Sequence, residues 1–147
     1  MDHTLSQFAD RVMELIPVIM REYVKHQVDE FDKLKITMPQ FFVLEFLYRS
    51  GECKMGDIAK FINVTTAAVT GIIDRLFRDG YVLRSSDSRD RRIVNIKLTA
   101  KGSKMVKNMV EHRKQVSVRM FGMISQGERS QYLSILTSIK DKIQEQG

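Results

Sequence analysis

The sequence has few of the residues that interrupt helices or form cross-links. Its 147 residues include two prolines, eight glycines, one cysteine and no tryptophan. The single cysteine, Cys53, excludes an internal disulfide framework and any zinc site built on a pair of cysteines. A chain of this length can bury a hydrophobic core without such cross-links. We therefore expect a single globular chain, 1–147, in which long helices are rarely interrupted.

Long apolar segments are also missing. No run reaches the roughly 18 residues that a membrane-spanning helix needs. The start of the chain, Met1-Asp2-His3-Thr4, has neither the basic region nor the apolar region of a signal peptide. These absences predict a cytoplasmic protein without a membrane segment.

The residue combinations of common enzymes are absent as well. The sequence contains no Ser/His/Asp or Cys/His grouping, no paired carboxylates in a cleft pattern and no glycine-rich phosphate loop. Its three histidines lack paired spacing, whereas a zinc site needs four close ligands. We therefore expect a protein that is not an enzyme and that holds no metal or other cofactor.

Basic side chains outnumber acidic ones, and they are concentrated in one part of the chain. There are 24 Lys and Arg against 18 Asp and Glu, which gives a net charge of +6. Residues 89–119 alone hold 10 basic and 2 acidic side chains, whereas residues 1–38 are slightly acidic. This distribution favours a polyanionic partner, bound in a salt-dependent way, although part of the run is also compatible with a solvated helix face.

Apolar residues recur every three or four positions at both ends of the chain, as in amphipathic helices. The first helix is predicted over about residues 4–32, with a kink or break near Pro17. A second helix should begin at Met38-Pro39 and end at Ser50-Gly51. Two more are predicted at about 100–123 and from Ser125 onward. The terminal apolar stripes are too long to be buried within one copy, which predicts a dimer.

The middle of the chain has the order of a helix-turn-helix with a wing. A short helix of about residues 54–62 and a tight turn precede a helix of about residues 65–79. Strands are predicted over 81–84 and 92–98, with a polar loop between them. We therefore expect a mainly α fold with a small β-hairpin wing. The second helix of such a unit can enter the major groove of DNA, and the wing can reach a phosphate or the minor groove.

The helix over 65–79 has one apolar and one small, polar face. The residues predicted to point inward are Val69, Ile72, Ile73, Leu76 and Phe77. Small residues at the start of the opposite face suit a close approach to base edges. That face carries Thr66, Ala67, Thr70, Gly71, Asp74, Arg75 and Arg78. A plain amphipathic helix would show the same pattern, but the adjoining wing favours groove binding.

Three arginines crowd the predicted wing loop. Arg89, Arg91 and Arg92 are interleaved with Asp87 and Asp90. Arginines at a turn suit phosphates and a narrow minor groove. The carboxylates can hold some of them in place by ion pairing. A solvated turn with ordinary ion pairs is the alternative, which the neighbouring helix-turn-helix pattern disfavours.

Four short motifs in this region resemble those of the MarR family of bacterial winged-helix transcription regulators. They are D-R-L at Asp74–Leu76, D-G-Y at Asp79–Tyr81, D-x-R-D-R-R at Asp87–Arg92 and L-T-x-K-G at Leu98–Gly102. The flanking helices match in number, length and order. The resemblance implies a winged helix-turn-helix lobe of about residues 36–99. It also implies an intertwined helical dimerisation lobe of about residues 1–35 and 100–147.

The resemblance further implies that a homodimer binds a palindromic operator in double-stranded DNA, in many members as a repressor. Arg89 would enter the minor groove, braced by Asp87, while Arg91 and Arg92 would support the wing or contact phosphates. By position, the residues that would face the major groove or its phosphates are Thr65, Thr66, Ala67, Thr70, Gly71 and Arg75.

Many members of that family release DNA when a small aromatic or phenolic effector enters the cleft between the lobes. The candidate lining residues are Ile16, Met20, Phe42 and Phe46.

Three alternatives remain open at this point. One is a redox-responsive regulator that uses Cys53, beside Lys54. Another is a metal-responsive regulator of the same fold, and its candidate ligands are His26 and His112 with Glu22, Glu30 or Glu111. The last is a winged-helix module that binds a protein partner instead of DNA.

Overall fold

The computed structural model of the protein describes residues 4–147. The elements are α1 (Leu5–Leu34), α2 (Met38–Ser50), β1 (Cys53–Lys54), α3 (Met55–Ile62), α4 (Thr66–Arg78), β2 (Val82–Ser86), β3 (Val94–Leu98), α5 (Ala100–Phe121) and α6 (Gln126–Gln146). The predicted mainly helical fold with a small wing is confirmed. The chain forms two compact units, one ending at His112 and one starting at Arg113. Its division into a DNA-binding and a dimerisation lobe stays a prediction, and residues 1–3 of the latter lie outside the described residues.

The first helix, α1, covers nearly the residues that the sequence predicts. A capping box starts it: the Thr4 hydroxyl accepts from the Gln7 backbone N–H, and the Gln7 side chain accepts from the Thr4 N–H. The helix continues through Pro17, so the predicted break is absent, and the alternative of a kink there stays a prediction. Proline removes one helical hydrogen bond, but the turns on both sides keep theirs. Of the 30 residues of α1, all of them described, only Phe31 is buried.

The hydrophobic core of the first unit lies between α2, α3, α4, the sheet and the start of α5. Thr37 and Gln40 form a second capping box, which fixes the start of α2. Burial of each large apolar side chain contributes about 1.5–3 kcal/mol relative to its exposed state. The fully buried side chains are Phe41, Val43, Leu44, Leu47, Ile58, Val69, Ile73, Leu76, Val82, Ile96 and Val106.

The wing belongs to a three-stranded antiparallel sheet in the order β1-β3-β2. In the β2–β3 hairpin Val82 lies opposite Leu98, and Ser86 lies opposite Val94. Cys53 of β1 pairs with Ile96 on the other side of β3. The predicted hairpin therefore has a third strand, which the sequence analysis missed because two residues show no alternation. This strand anchors the base of the wing to the start of α3.

The end of the helix-turn-helix is joined tightly to α5. The Thr99 hydroxyl donates to the Gly80 carbonyl at 2.7 Å, and the Thr99 backbone N–H donates to the Tyr81 carbonyl at 3.1 Å. Thr99 also caps α5, because its hydroxyl accepts from the Gly102 N–H. A Cβ at Gly102 would lie 2.1 Å from the Tyr81 carbonyl oxygen. The D-G-Y and L-T-x-K-G motifs thus form a single structural joint.

The second unit contains the end of α5 and all of α6. Ser125 and Glu128 form the predicted capping box at the start of α6. The Arg129 guanidinium donates to the carbonyls of Phe121 and Ile124, which satisfies the end of α5. No residue of α6, which is described throughout, is buried.

Candidate nucleic-acid interface

The turn between α3 and α4 is held by backbone and side-chain caps. Asn63 ends α3 with φ +53°, a left-handed conformation that asparagine tolerates. Its N–H donates to the carbonyls of Ala59 and Lys60. Thr65 is the N-cap of α4, because its hydroxyl accepts from the Ala68 N–H at 3.2 Å. The two helices of the predicted helix-turn-helix are therefore present, with a well-defined turn.

The inner face of α4 agrees with the prediction except at Phe77. Val69, Ile73 and Leu76 are fully buried and Ile72 is half-buried. Phe77 is 43% exposed, so its predicted place in the core is wrong. The Arg84 guanidinium carbon lies 4.5 Å from the centroid of the Phe77 ring, and this cation–π contact replaces burial in the core.

The outer face of α4 is exposed and small at its beginning. The side chain of Thr70 turns back on the helix, since its hydroxyl donates to the Thr66 carbonyl at 2.9 Å. Gly71 has nothing within 4 Å of where a Cβ would stand. No packing within the described residues therefore requires a glycine there. All six predicted major-groove residues are exposed, and they are Thr65, Thr66, Ala67, Thr70, Gly71 and Arg75.

The wing loop is shaped by Asp87. Its carboxylate accepts from the backbone N–H groups of Arg89 at 2.8 Å and Asp90 at 3.3 Å. The pKa of Asp87 is below its ordinary value, mainly because of the hydrogen bond from the Arg89 backbone N–H. The Asp87 N–H donates to the Ile93 carbonyl and closes the loop. Asp87 thus braces Arg89 through the backbone and leaves the Arg89 guanidinium exposed.

The three wing arginines differ in their partners. Arg92 donates from Nε and from its terminal nitrogen to the two oxygens of the Asp90 carboxylate, at 3.1 and 2.9 Å. This pairing lowers the pKa of Asp90 and raises the pKa of Arg92. Within residues 4–147 neither Arg89 nor Arg91 has an ion-pair partner. Arg92 therefore pairs within its own loop although its side chain is 90% exposed, whereas Arg89 and Arg91 have no such pairing among the described residues.

One contact between the wing and α4 escaped the sequence analysis. Arg84 of β2 donates to the Asp74 carboxylate of α4 at 2.5 Å. The two residues are ten positions apart, so no local periodicity pairs them. The available signal was the D-R-L motif, which contains Asp74, followed by an arginine in the next strand.

Cys53 does not have the environment of a reactive thiolate. Its pKa is raised, first by burial and then by the charges of Asp57 and Glu52. The thiol donates to the Gly51 carbonyl at 3.1 Å. Burial and the two carboxylates raise this pKa, so the neighbouring Lys54 does not give Cys53 a lowered pKa. The geometry gives no support to a redox-responsive regulator.

The candidate metal ligands are only partly brought together. His26 Nε2 lies 3.4 Å from the Glu22 carboxylate, and His112 Nε2 lies 3.2 Å from the His26 carbonyl oxygen. Glu30 pairs with Lys33 instead. Within residues 4–147, no group of three or more His, Cys, Asp or Glu side chains is placed to hold a metal.

The candidate effector residues lie on two helices. Ile16 and Met20 are one turn apart on the exposed surface of α1, and Phe42 and Phe46 are one turn apart on α2. The Phe46 ring stacks on Phe61 of α3, with their centroids 4.3 Å apart. The grouping of these four residues around an effector stays a prediction.

Known proteins resemble this chain in sequence over most of its length. The MarR family model matches residues 36–94. The helix-turn-helix transcriptional regulator YfiV of Bacillus subtilis (strain 168) is 34% identical over 113 residues, which cover 75% of this chain and 71% of YfiV. The repressor NicR of Pseudomonas putida is 30% identical over 113 residues, covering 77% of this chain and 72% of NicR. The chain belongs to the MarR family. It is a helix-turn-helix transcriptional regulator that binds DNA.

Solved structures agree with this assignment at the level of the fold. A MarR family protein from Bacillus stearothermophilus superimposes with a TM-score of 0.83 at 20% identity, over 97% of this chain and 99% of that one. A MepR variant of S. aureus bound to an oligodeoxyribonucleotide has a TM-score of 0.70 at 25% identity, over 97% and 99% of the two chains. Among residues 4–147 of this MarR-family chain, no helix is long and apolar enough to span a membrane.

Proposed function

We propose that two copies of this chain bind a palindromic operator, with α4 in the major groove and Arg89 in the adjacent minor groove. The observation that carries this proposal is that Arg89 and Arg91 have no ion-pair partner within residues 4–147, on a loop held by hydrogen bonds to Asp87 and Asp90. Free guanidinium groups beside an exposed helix of small residues fit the phosphates and grooves of a duplex.

Exposed apolar side chains on the terminal helices support the dimer. On α6 they form a stripe that no part of the described chain buries, comprising Tyr132, Leu133, Ile135, Leu136, Ile139 and Ile143. On α1 the corresponding residues include Leu5, Phe8, Ile16, Ile19 and Val24. Apolar surface of this extent marks an association site, and a second copy is the occupant that α1 and α6 fit.

We further propose that the dimer is a repressor, and that a small aromatic or phenolic effector causes its release from the operator. NicR and MdtR, relatives of this chain, are named as transcriptional repressors. The effector would contact Ile16 and Met20 of α1 and Phe42 and Phe46 of α2. Phe42 is 43% exposed and so is accessible to a planar ligand.

Selection of binding sites from a random DNA duplex pool, at near-physiological salt, tests the proposed DNA recognition. We expect an enriched palindrome whose half-sites are about 10 bp apart, one helical turn, because each copy presents one α4. Arg89→Ala should weaken binding to that site and reduce the salt dependence. Recovery of no sequence above the background would contradict the proposal and favour a winged helix that binds a protein partner.

A further inference from the structure

Arg84 connects the wing to the helix that we place in the major groove. It stands in β2, opposite Ile96, and its side chain crosses to α4. There its guanidinium donates to the Asp74 carboxylate and lies over the ring of Phe77, 4.5 Å from the centroid. One side chain therefore contacts two consecutive turns of the helix that neighbours the wing.

Asp74 occupies an unexpected position for an acidic residue. It follows Thr70 by four residues and precedes Arg78 by four, so it shares with them the outer face of α4. A bare carboxylate on a face that meets DNA would repel phosphates. Its ion pair with Arg84 offsets that charge, and this gives a physical reason for the carboxylate to be there.

The exposure of Arg84 and Asp74 also argues against a role for their ion pair in the core. The side chain of Arg84 is 36% exposed and that of Asp74 is 46% exposed. Exposed ion pairs and exposed cation–π contacts each contribute little to global stability. The contact is better placed to set the local angle between wing and helix than to hold the fold together.

We propose that Arg84 is a positioning residue for DNA binding, and this inference rests on the proposed function. By holding Asp74 and Phe77 it fixes the wing against α4. This holds Arg89 at a fixed position relative to the exposed face of α4 before DNA arrives. Arg84 itself contacts the helix and leaves the phosphates to Arg89 and Arg91.

The variant Asp74→Asn tests this proposal through the sign of its effect on DNA affinity. It removes a negative charge from the outer face of α4, so charge alone predicts tighter binding. Loss of the charge that pairs with Arg84 predicts weaker binding, by up to about fivefold for one exposed ion pair. Arg84→Met, which also removes the cation–π contact with Phe77, should show a larger loss. Tighter binding by Asp74→Asn would overturn the proposal.

Salt dependence separates positioning from a direct phosphate contact. Arg84→Met should keep the wild-type slope of log affinity against log salt concentration, whereas Arg89→Met should reduce it by about 0.9. The matched control is Arg49→Met, which breaks the Arg49–Glu45 pair of α2 at 2.9 Å and should leave affinity unchanged. An equal drop in slope for Arg84→Met and Arg89→Met would make Arg84 a phosphate contact and refute its positioning role.

Hydrogen exchange measures the same contact without DNA. The Asp87 and Ile93 amides, which bond to carbonyls within the wing loop, should exchange several-fold faster in Arg84→Met and Asp74→Asn at an unchanged urea midpoint. Unchanged exchange would show that Arg84 does not hold the wing. If the wild type selects no DNA sequence, the proposed function fails, while the exchange rates still decide whether Arg84 fixes the wing.

Discussion

Gly71 lowers the stability of the free protein, and no contact within the described chain requires a glycine at this position. It lies inside α4, where glycine is less favourable than alanine by about 1 kcal/mol, and nothing stands within 4 Å of the position of its Cβ. Gly71→Ala should therefore stabilise the free protein by about 0.5–1 kcal/mol, measured by urea unfolding. In the proposed complex the added methyl group meets the bases, so the change should also weaken operator binding.

The control for Gly71→Ala is Gly56→Ala in α3. Gly56 is also helical and has nothing within 4 Å of its Cβ position. This change should increase stability in the same direction and leave DNA affinity alone. If Gly71→Ala binds the selected site as tightly as the wild type, Gly71 does not face the duplex.

Gly102 is a glycine of the opposite kind. Its added Cβ would lie 2.1 Å from the Tyr81 carbonyl oxygen, a backbone atom that accepts the Thr99 N–H and cannot simply rotate away. Gly102→Ala should destabilise the protein by about 1–3 kcal/mol, as other overpacked sites do. The urea midpoint should fall for Gly102→Ala and rise for Gly71→Ala. A rise for both would mean that the joint between Tyr81 and α5 yields easily.

Among the elements, the wing is one whose stability depends on charge. The pKa of Asp87 is lowered in the folded protein from an ordinary value of 3.8. A lowered pKa means that the charged form favours the folded loop. This contribution is fully present above pH 3.8 and is lost as the pH falls through the lowered value. The amide signals of Arg89 and Asp90 should therefore titrate together below pH 3.8.

The substitutions at Asp87 distinguish shape from charge in this loop. Asp87→Asn keeps an oxygen that can accept the Arg89 N–H, whereas Asp87→Ala removes it. We expect the acid transition of the wing amides to disappear in both variants and the neutral-pH signals to shift more in Asp87→Ala. An acid transition below pH 3.8 that survives in Asp87→Asn would assign the effect to Asp90 instead, because the pKa of Asp90 is also lowered.

The elements that sequence analysis located well are those whose ends carry their own chemical signal. Caps at Thr37, Thr65 and Ser125 and the glycine at Gly51 fix helix ends locally, so the predicted and observed bounds differ by a residue or two. The strand Cys53–Lys54 was missed because its only determinant is pairing with β3, forty residues later. Phe77 was misplaced for the same reason, since its partner Arg84 comes from another element.

Among the site residues, those of the wing loop could be predicted from the sequence. Asp87, Arg89 and Arg92 lie within six residues, and their contacts are local. It could not distinguish Arg92, which Asp90 holds, from Arg91, which has no ion-pair partner within residues 4–147, because that difference depends on the path of the loop. The ion pair between Arg84 and Asp74 required the sheet and α4 to be placed side by side.

At the scale of the whole molecule, the exposed stripe on α6 predicts that association and DNA binding are linked. None of the residues of α6 is buried within the chain, so a charge at Ile139, which is 51% exposed, leaves the core intact. Ile139→Glu should bury a carboxylate in the proposed dimer and weaken association by at least about tenfold. Sedimentation velocity should show a dimer for the wild type and a shift towards monomer for the variant.

Ser138→Glu is the matched control, because Ser138 is exposed on the polar side of the same helix, next to Ile139. It adds the same charge and should leave the dimer unchanged. Two half-sites bound by one dimer gain affinity from being linked, so Ile139→Glu should also lose preference for the full palindrome over a single half-site. If the wild type is monomeric in solution and still prefers the palindrome, the two copies would instead associate only on the DNA, after each has bound its half-site.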